Sequence, residues 1–391
     1  MLKNHILTGM LFCGFSMGVV AQDLSPANLK ALKKAERGEA VALPGFLKTD
    51  FKLIDYKKIV IPGPQYIISD DPEYIRVPEA IALKESVAPG AVRLYLYNVN
   101  GVKEPAKIDR KITAVIKNTG TAPLHLRMLK FVSQKPTTNY FQLGKQGLAE
   151  YFAATPLNEV ITIAPGQVVP VDKNLENYIV KFDELVHGIY EFVIDQPAEI
   201  AVIQTAPGTS GPDAYNTIKT VLPTGHKNAG RGLFGVSNYR VLNKEVLDTK
   251  DGVSQLIVAD GKIDPWVAGV EGVSGQISEL AGNYGVIYDI EVDWKSSDGK
   301  GLALLTWNSR TDNQWCSGMA ASMMVSEGLF KDGIVQLPSN KLTTTGAPEA
   351  VVVQVFKPAK DGSKQTIKLR YSPPGASCLP TPFIFVPVDL K

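Results

Sequence analysis

The chain has 391 residues, 41 Lys plus Arg against 39 Asp plus Glu, and 45% hydrophobic residues, the balance of a globular protein with about two to three folded units. A net charge of +2 provides no chain-wide positive field, which excludes a nucleic-acid-coating role. Three cysteines and four histidines are too few for a disulfide-dense scaffold or a histidine-rich metal centre.

Residues 1–21 read as an export signal. Lys3 and His5 precede an apolar run from Ile6 to Phe15, and Val19-Val20-Ala21 supplies small residues for cleavage. The run is too short to span a membrane as a helix, which takes about 20 apolar residues. The expected mature protein is therefore secreted, without a transmembrane anchor, to the periplasm or the cell surface. In that oxidising compartment Cys316 and Cys378 are candidates for a disulfide. Closing their loop of roughly 60 residues would contribute ~4 kcal/mol; the alternative is two buried thiols.

Residues 22–70 form an N-terminal arm. Ser25 is placed to cap a short helix, Pro26 suits its first turn, and Leu29 and Leu32 share a face among Lys30, Lys33, Lys34 and Arg37 before Gly38 stops it. The segments 59–61 and 66–68 are short strand candidates. Residues 71–205 then alternate with period two, as in Arg93-Leu94-Tyr95-Leu96-Tyr97-Asn98-Val99. Residues 111–116 and 124–129, around the turn Asn118-Thr119-Gly120-Thr121, predict a β-hairpin. Further strands are expected at 160–163, 168–171, 189–193 and 200–203, with one helix near 144–154.

Residues 206–230, rich in Pro, Gly, Ser and Thr, read as a linker. In 231–391, Tyr288, Ile290, Val292 and Trp294 alternate with Asp289, Glu291 and Asp293, the mark of a sheet with one wet side. The expected fold class is all-β: two β-sandwich domains, immunoglobulin-like or jelly-roll-like, in tandem behind a short helical arm.

Several phrases stand in a familiar order: Ser69-Asp70-Asp71-Pro72-Glu73-Tyr74, Val92-Arg93-Leu94-Tyr95, His187-Gly188-Ile189-Tyr190, Arg231-Gly232-Leu233-Phe234, Asp264-Pro265-Trp266, Gly282-Asn283-Tyr284-Gly285 and Ser372-Pro373-Pro374-Gly375. Together, over about residues 66 to 388, they resemble a family of secreted bacterial envelope β-sandwich proteins often found beside copper-amine-oxidase N-terminal-like (stalk) domains. The resemblance implies an envelope location and carries no catalytic residue or cofactor onto this chain. A copper and quinone centre has no recognisable motif among His125, His187 and His226.

The chain holds no Walker loop or His-Glu-x-x-His string. Its Gly-x-Ser-x-Gly string, residues 14–18, lies inside the expected export signal, and its Gly-x-Gly-x-x-Gly string, residues 230–235, starts at the end of the expected linker rather than after a strand, so neither carries the hydrolase or dinucleotide reading. Ser297-Asp298-Gly299-Lys300 satisfies Ser-x-x-Lys but falls between two predicted strands, where Asp-Gly makes a turn. Glu291 and Asp293 share a strand face with the spacing of a glycosidase pair, although a solvated sheet face needs the same pattern. Asp248, Asp251, Asp260 and Asp264 cluster in turn-rich sequence and offer hard oxygen ligands for calcium. Cys316, Met319, Met323 and Met324 form a soft group suited to Cu(I), with 319 and 323 on one helical face. Core filling explains the methionines as well.

All four tryptophans lie between 266 and 315. Trp266 beside Asp264, and Trp315 beside Asn313, are the ligand-binding candidates, since an accessible ring with polar neighbours suits sugar stacking. Trp294 and Trp307 have core patterning. The sequence thus points to a non-catalytic envelope protein that binds a surface glycan or a protein partner, with no cofactor unless calcium. An envelope polysaccharide hydrolase using paired carboxylates and a purely structural envelope component are the alternatives.

Overall fold

The computed structural model describes residues 24–224, 230–309, 321–338, 349–377 and 379–390. Strands account for 46% of the described residues and helices for 11%, a mostly β composition that fits the all-β class. Among the described residues no helix is long and apolar enough to cross a membrane.

Among the described residues four sheets carry the fold. The nine-stranded sheet runs in the order Glu159–Ile163, Leu124–Ser133, Leu185–Ile194, Gly90–Asn100, Gln65–Ser69, Arg231–Phe234, Val267–Val270, Ile277–Leu280, with Tyr74–Ile75 beside Gly90–Asn100. The four-stranded sheet is Val168–Pro170, Lys111–Asn118, Ala198–Thr205, Ala80–Val87. Val92, Leu94 and Leu96 from the first and Ile112, Ala114 and Ile116 from the second join one buried cluster. Because successive side chains point to opposite faces, Tyr95, Tyr97 and Val99 turn the other way. They enter a different core, shared with Val241, Tyr288, Trp294 and Phe383.

Those last residues come from the remaining sheets. The seven-stranded sheet includes Ser322–Val325, Gln365–Tyr371, Ile287–Lys295, Asn238–Asn243 and Tyr56–Val60, and the six-stranded sheet includes Glu349–Phe356, Gly301–Thr306, Thr381–Val388 and Ser254–Val258. Tyr288, Ile290, Val292 and Trp294 are buried, while Asp289, Glu291 and Asp293 are half-buried. The alternation read from the sequence is the alternation of the strand.

The arm straps the sheets together. Ser25 caps the helix Pro26–Lys34, its hydroxyl accepting from Asn28 N–H at 3.2 Å. That helix ends at Lys34, ahead of Gly38, and Leu32 packs with Leu43, Phe46 and Leu47 on the six-stranded sheet. Downstream, Ala40–Ala42 pairs with Glu349–Phe356, Lys52–Leu53 with Ser254–Val258, and Tyr56–Val60 with Asn238–Asn243. Gln65–Ser69 then enters the nine-stranded sheet between Gly90–Asn100 and Arg231–Phe234.

Two local expectations need correction. The strands Lys111–Asn118 and Leu124–Ser133 do not pair as a hairpin; they belong to different sheets, so the turn is an arch between layers. Asn118 holds it, donating to the carbonyls of Ala122 and Ile163 at 2.8 and 2.9 Å and accepting from Gly120 N–H at 2.9 Å. The stretch expected as a linker contains the helix Gly211–Thr217, whose Ala214 is fully buried against the four-stranded sheet.

Candidate binding cleft between the sheets

The seven- and nine-stranded sheets diverge around a cleft of about 550 Å³. Its rim is Pro62-Gly63-Pro64, where the arm crosses from one sheet to the other; two fixed proline φ angles stiffen that crossing. On the nine-stranded side three neighbouring strands contribute a cross-strand row, with Glu191 in register with Arg93 on one side and Lys130 on the other. On the seven-stranded side Asp289 stands in register with Arg370 and Arg240. Each row places a carboxylate between two cations, the pairing that stabilises neighbouring strands.

Arg93 is the anchor of the first row. It is 4% exposed. Its Nε donates to Glu191 at 2.8 Å, its Nη1 to the Ser237 carbonyl at 2.9 Å, and its Nη2 to Asn238 Oδ1 at 3.0 Å. Burial works against the guanidinium charge, but Tyr151 and Glu191 outweigh it and hold the Arg93 pKa above its usual value. Glu191 shows the complementary balance: burial pushes it up, and Arg93, the Tyr151 hydroxyl and Lys130 bring it below the usual carboxylate range. Lys130 is lowered, first by burial and further by Arg93 and Arg370, with Glu191 opposing. Its ammonium sits 3.8 Å from the centroid of the Tyr151 ring, a cation–π contact.

In the second row Arg370 grips Asp289 through Nε and Nη2 at 2.6 and 2.9 Å. Beyond it, Arg240 Nη2 holds both oxygens of Glu291 at 2.8 and 3.0 Å. Asp289 and Arg370 also line a neighbouring groove of about 570 Å³ that includes Arg240, Glu291 and Lys368. Cleft and groove thus adjoin at the Asp289–Arg370 pair, which lines both. Phe152, half-buried at the cleft wall, adds an aromatic surface.

The two carboxylates proposed as a hydrolytic pair are each engaged by a cation. Glu291 is chelated by Arg240, and Asp293 accepts from Lys364 at 2.7 Å and Thr366 at 2.6 Å. Lys364 and Thr366 hold Asp293 below its usual range, the opposite of a general acid. Ser297 lies in a turn and donates its hydroxyl to Asp248 at 2.5 Å.

The four aspartates read as calcium ligands fall into two separate groups. Asp248 accepts from Ser297 N–H at 3.0 Å, lies next to Lys295 at 3.7 Å, and lines with Asp251 a cavity of about 330 Å³ floored by Trp294. Asp264 is at the other end of the same strand, accepting from the Tyr288 hydroxyl at 2.6 Å and Ala259 N–H at 2.7 Å, and paired with Lys58. Strand residues 288 and 295 are roughly 20 Å apart at ~3.3 Å per residue, so the quartet does not converge. Asp260 spends its oxygens on the N–H groups of Lys262, Ile263 and Asp264. Among the described residues no group of three or more His, Cys, Asp or Glu could hold a metal ion.

Trp266 is half-buried, lies against Gly261, and keeps its indole N–H buried without a hydrogen-bond partner among the described residues. Met323 and Met324 lie on the strand Ser322–Val325, not on a helix. Trp315, Asn313, Cys316, Met319, Cys378 and His226 lie outside the described residues. Of the other histidines, His125 is exposed and bonded to Asp195 at 2.7 Å, while His187 is buried between the Tyr95 and Tyr97 rings. Burial lowers the His187 pKa to about 4. The cleft residues Arg93, Lys130, Glu191 and Arg370 were not singled out in the sequence. The available signal was a charge such as Arg93 on the same strand face as Tyr95 and Tyr97.

A second charged cluster joins the nine- and four-stranded sheets. Arg231, 1% exposed, donates to Glu271 at 2.9 Å, and Glu85 accepts from Gly272 N–H at 2.8 Å. Burial, with Glu271 adding and Gly272 and Arg231 opposing, raises the Glu85 pKa to about 7. A raised carboxyl binds its proton more tightly in the folded chain than in the unfolded one, whose Glu titrates near ~4.3. Its stability contribution is complete below that value and is lost as pH rises through 7. Urea midpoints at pH 5 and pH 8 will show the native chain losing up to ~3 kcal/mol more over this interval than Glu85→Gln; parallel pH dependences would refute the assignment.

Comparison with known proteins finds no matching family model and no matching curated protein. Among solved structures, the 7S globulin of Momordica charantia is 8% identical, with 78% of this chain and 72% of that chain covered and a TM-score of 0.11. A deletion mutant of Bacillus subtilis oxalate decarboxylase is 9% identical, with 88% and 80% covered and the same TM-score of 0.11. Likeness at that level carries no argument about fold or chemistry.

Proposed function

We propose that this is a non-catalytic, extracytoplasmic cell-envelope protein that binds a surface glycan in the cleft between its seven- and nine-stranded sheets. The reading takes the chain as two β-sandwiches, exported by the signal at residues 1–21 and joined both by the arm and by the strands Arg231–Phe234, Val267–Val270 and Ile277–Leu280, which extend the nine-stranded sheet. The observation that carries it is the cleft itself: a concave surface with Phe152 in its wall, lined by Glu191 and Asp289, each held by an arginine, with Glu291 of the adjoining groove held in the same way. Ligand sites are concave surfaces with a few fixed polar groups, and carboxylates held in this way are fixed groups that can orient a ligand.

Affinity electrophoresis of the purified protein through gels loaded with envelope polysaccharides tests the reading. A retained band is expected, and Phe152→Ala should weaken retention about tenfold, the loss of one stacking ring worth ~1 kcal/mol or slightly more. Retention by no polysaccharide would refute glycan binding, and product release from any of them would refute the non-catalytic role.

A further inference from the structure

We propose that the glycan is acidic, and that its anion seats between Lys130 and Arg370; this rests on the cleft being the glycan site. The argument is one of unspent charge. Glu191 binds Arg93 at 2.6 Å and also receives the Tyr151 hydroxyl. Lys130 stands 4.0 Å from its second oxygen, beyond a good hydrogen bond. Asp289 is gripped by Arg370. Three cations therefore face the cleft against two carboxylates, and Lys130 is the surplus charge.

That surplus is held in place. The Tyr151 ring fixes the ammonium from one side, while a quarter of the Lys130 side chain stays open, at 25% exposure. Arg370 uses Nε and Nη2 on Asp289, and its side chain is 48% exposed, which leaves the rest of the fork for a second acceptor. Bringing like charges together in a partly desolvated cleft is unfavourable, and an incoming anion relieves it. Further along the same strand Lys368 is exposed in the adjoining groove, two residues from Arg370 and on the same face. A repeating anion would meet a second cation there. The apolar surfaces of Phe152, Pro62 and Pro64 flank this charge and suit the C–H face of a sugar ring.

The test uses the full mature chain and four polymers at 50 and 300 mM NaCl: polygalacturonate, a phosphate-bearing wall polymer, neutral dextran and polyglutamate. Expected is at least tenfold tighter binding of one or both acidic glycans than of dextran or polyglutamate, weakened by salt, with Lys130→Met removing the preference while its melting curve stays native. The carboxylate and phosphate arms identify which anion is favoured. Equal binding of dextran, unaffected by Lys130→Met, would overturn the anion assignment and leave glycan binding standing. Equal or tighter binding of polyglutamate would overturn the glycan as occupant. If no polymer binds, the glycan reading fails, and the anion seat is judged by acylation of Lys130. Protection by millimolar galacturonate but not galactose supports it, and absence of protection overturns it.

Discussion

Replacing Arg93 with methionine will lower the free energy of unfolding by about 3–5 kcal/mol, the usual cost of removing one partner from a buried charge pair. The substitution takes away more than a charge. Ser237 and Gly285 lose the donor to their carbonyls, Asn238 loses a partner, and Glu191 keeps only Tyr151 and the more distant Lys130. Ser237 and Gly285 precede the strands Asn238–Asn243 and Ile287–Lys295 of the seven-stranded sheet, while Arg93 belongs to the nine-stranded one. One guanidinium thus pins two sheets across the base of the cleft. Urea unfolding followed by tryptophan fluorescence measures the loss. A change below 1 kcal/mol would mean that the cleft floor is held by packing alone. Arg93→Lys should recover only part of the loss, because a single ammonium cannot reproduce the planar fork.

Asp264→Ala is expected to be destabilising on the same scale, about 3–5 kcal/mol, and this separates its observed role from the one its sequence neighbourhood suggested. Asp264 is fully buried. Its removal leaves Lys58, the Tyr288 hydroxyl and the Ala259 N–H without their acceptor. Tyr288→Phe removes one of these bonds and should cost about 1–2 kcal/mol. A ligand-contacting Asp264 would behave otherwise: the alanine variant would melt like the native protein and lose only binding. Thermal melts of the two variants side by side decide between these outcomes.

The difference between those roles shows where sequence reading stopped. The Asp-Pro-Trp phrase at 264–266 reads as a loop bearing a polar group beside an aromatic ring. The folded chain turns the carboxylate inward to Tyr288, a residue 24 positions later, and sets the ring against Gly261. Loop composition does not reveal which way a carboxylate points. The arch at Asn118 failed for a similar reason: turn chemistry identifies a reversal, but whether its flanks pair or separate depends on the layers they join. The cleft was invisible because its rows are cross-strand. Lys130, Glu191 and Arg93 are far apart in the chain, Arg93 and Glu191 by 98 residues, and meet only through register.

The sequence by itself determined the all-β class, most strand positions and the wet and dry faces of Ile287–Lys295, because period-two alternation is a local property that burial on one side imposes. Tertiary structure alone decided the partners. Residues 231–234 pair with 66–69, and residues 56–60 with 239–243, so strands from both halves share sheets. A strand's two edges carry the same backbone donors and acceptors along most of its length, and alternation says nothing about which neighbour will satisfy them. The nearly even charge of the whole chain does not show this either: only the packed sheets gather Arg93, Lys130 and Arg370 around one cleft.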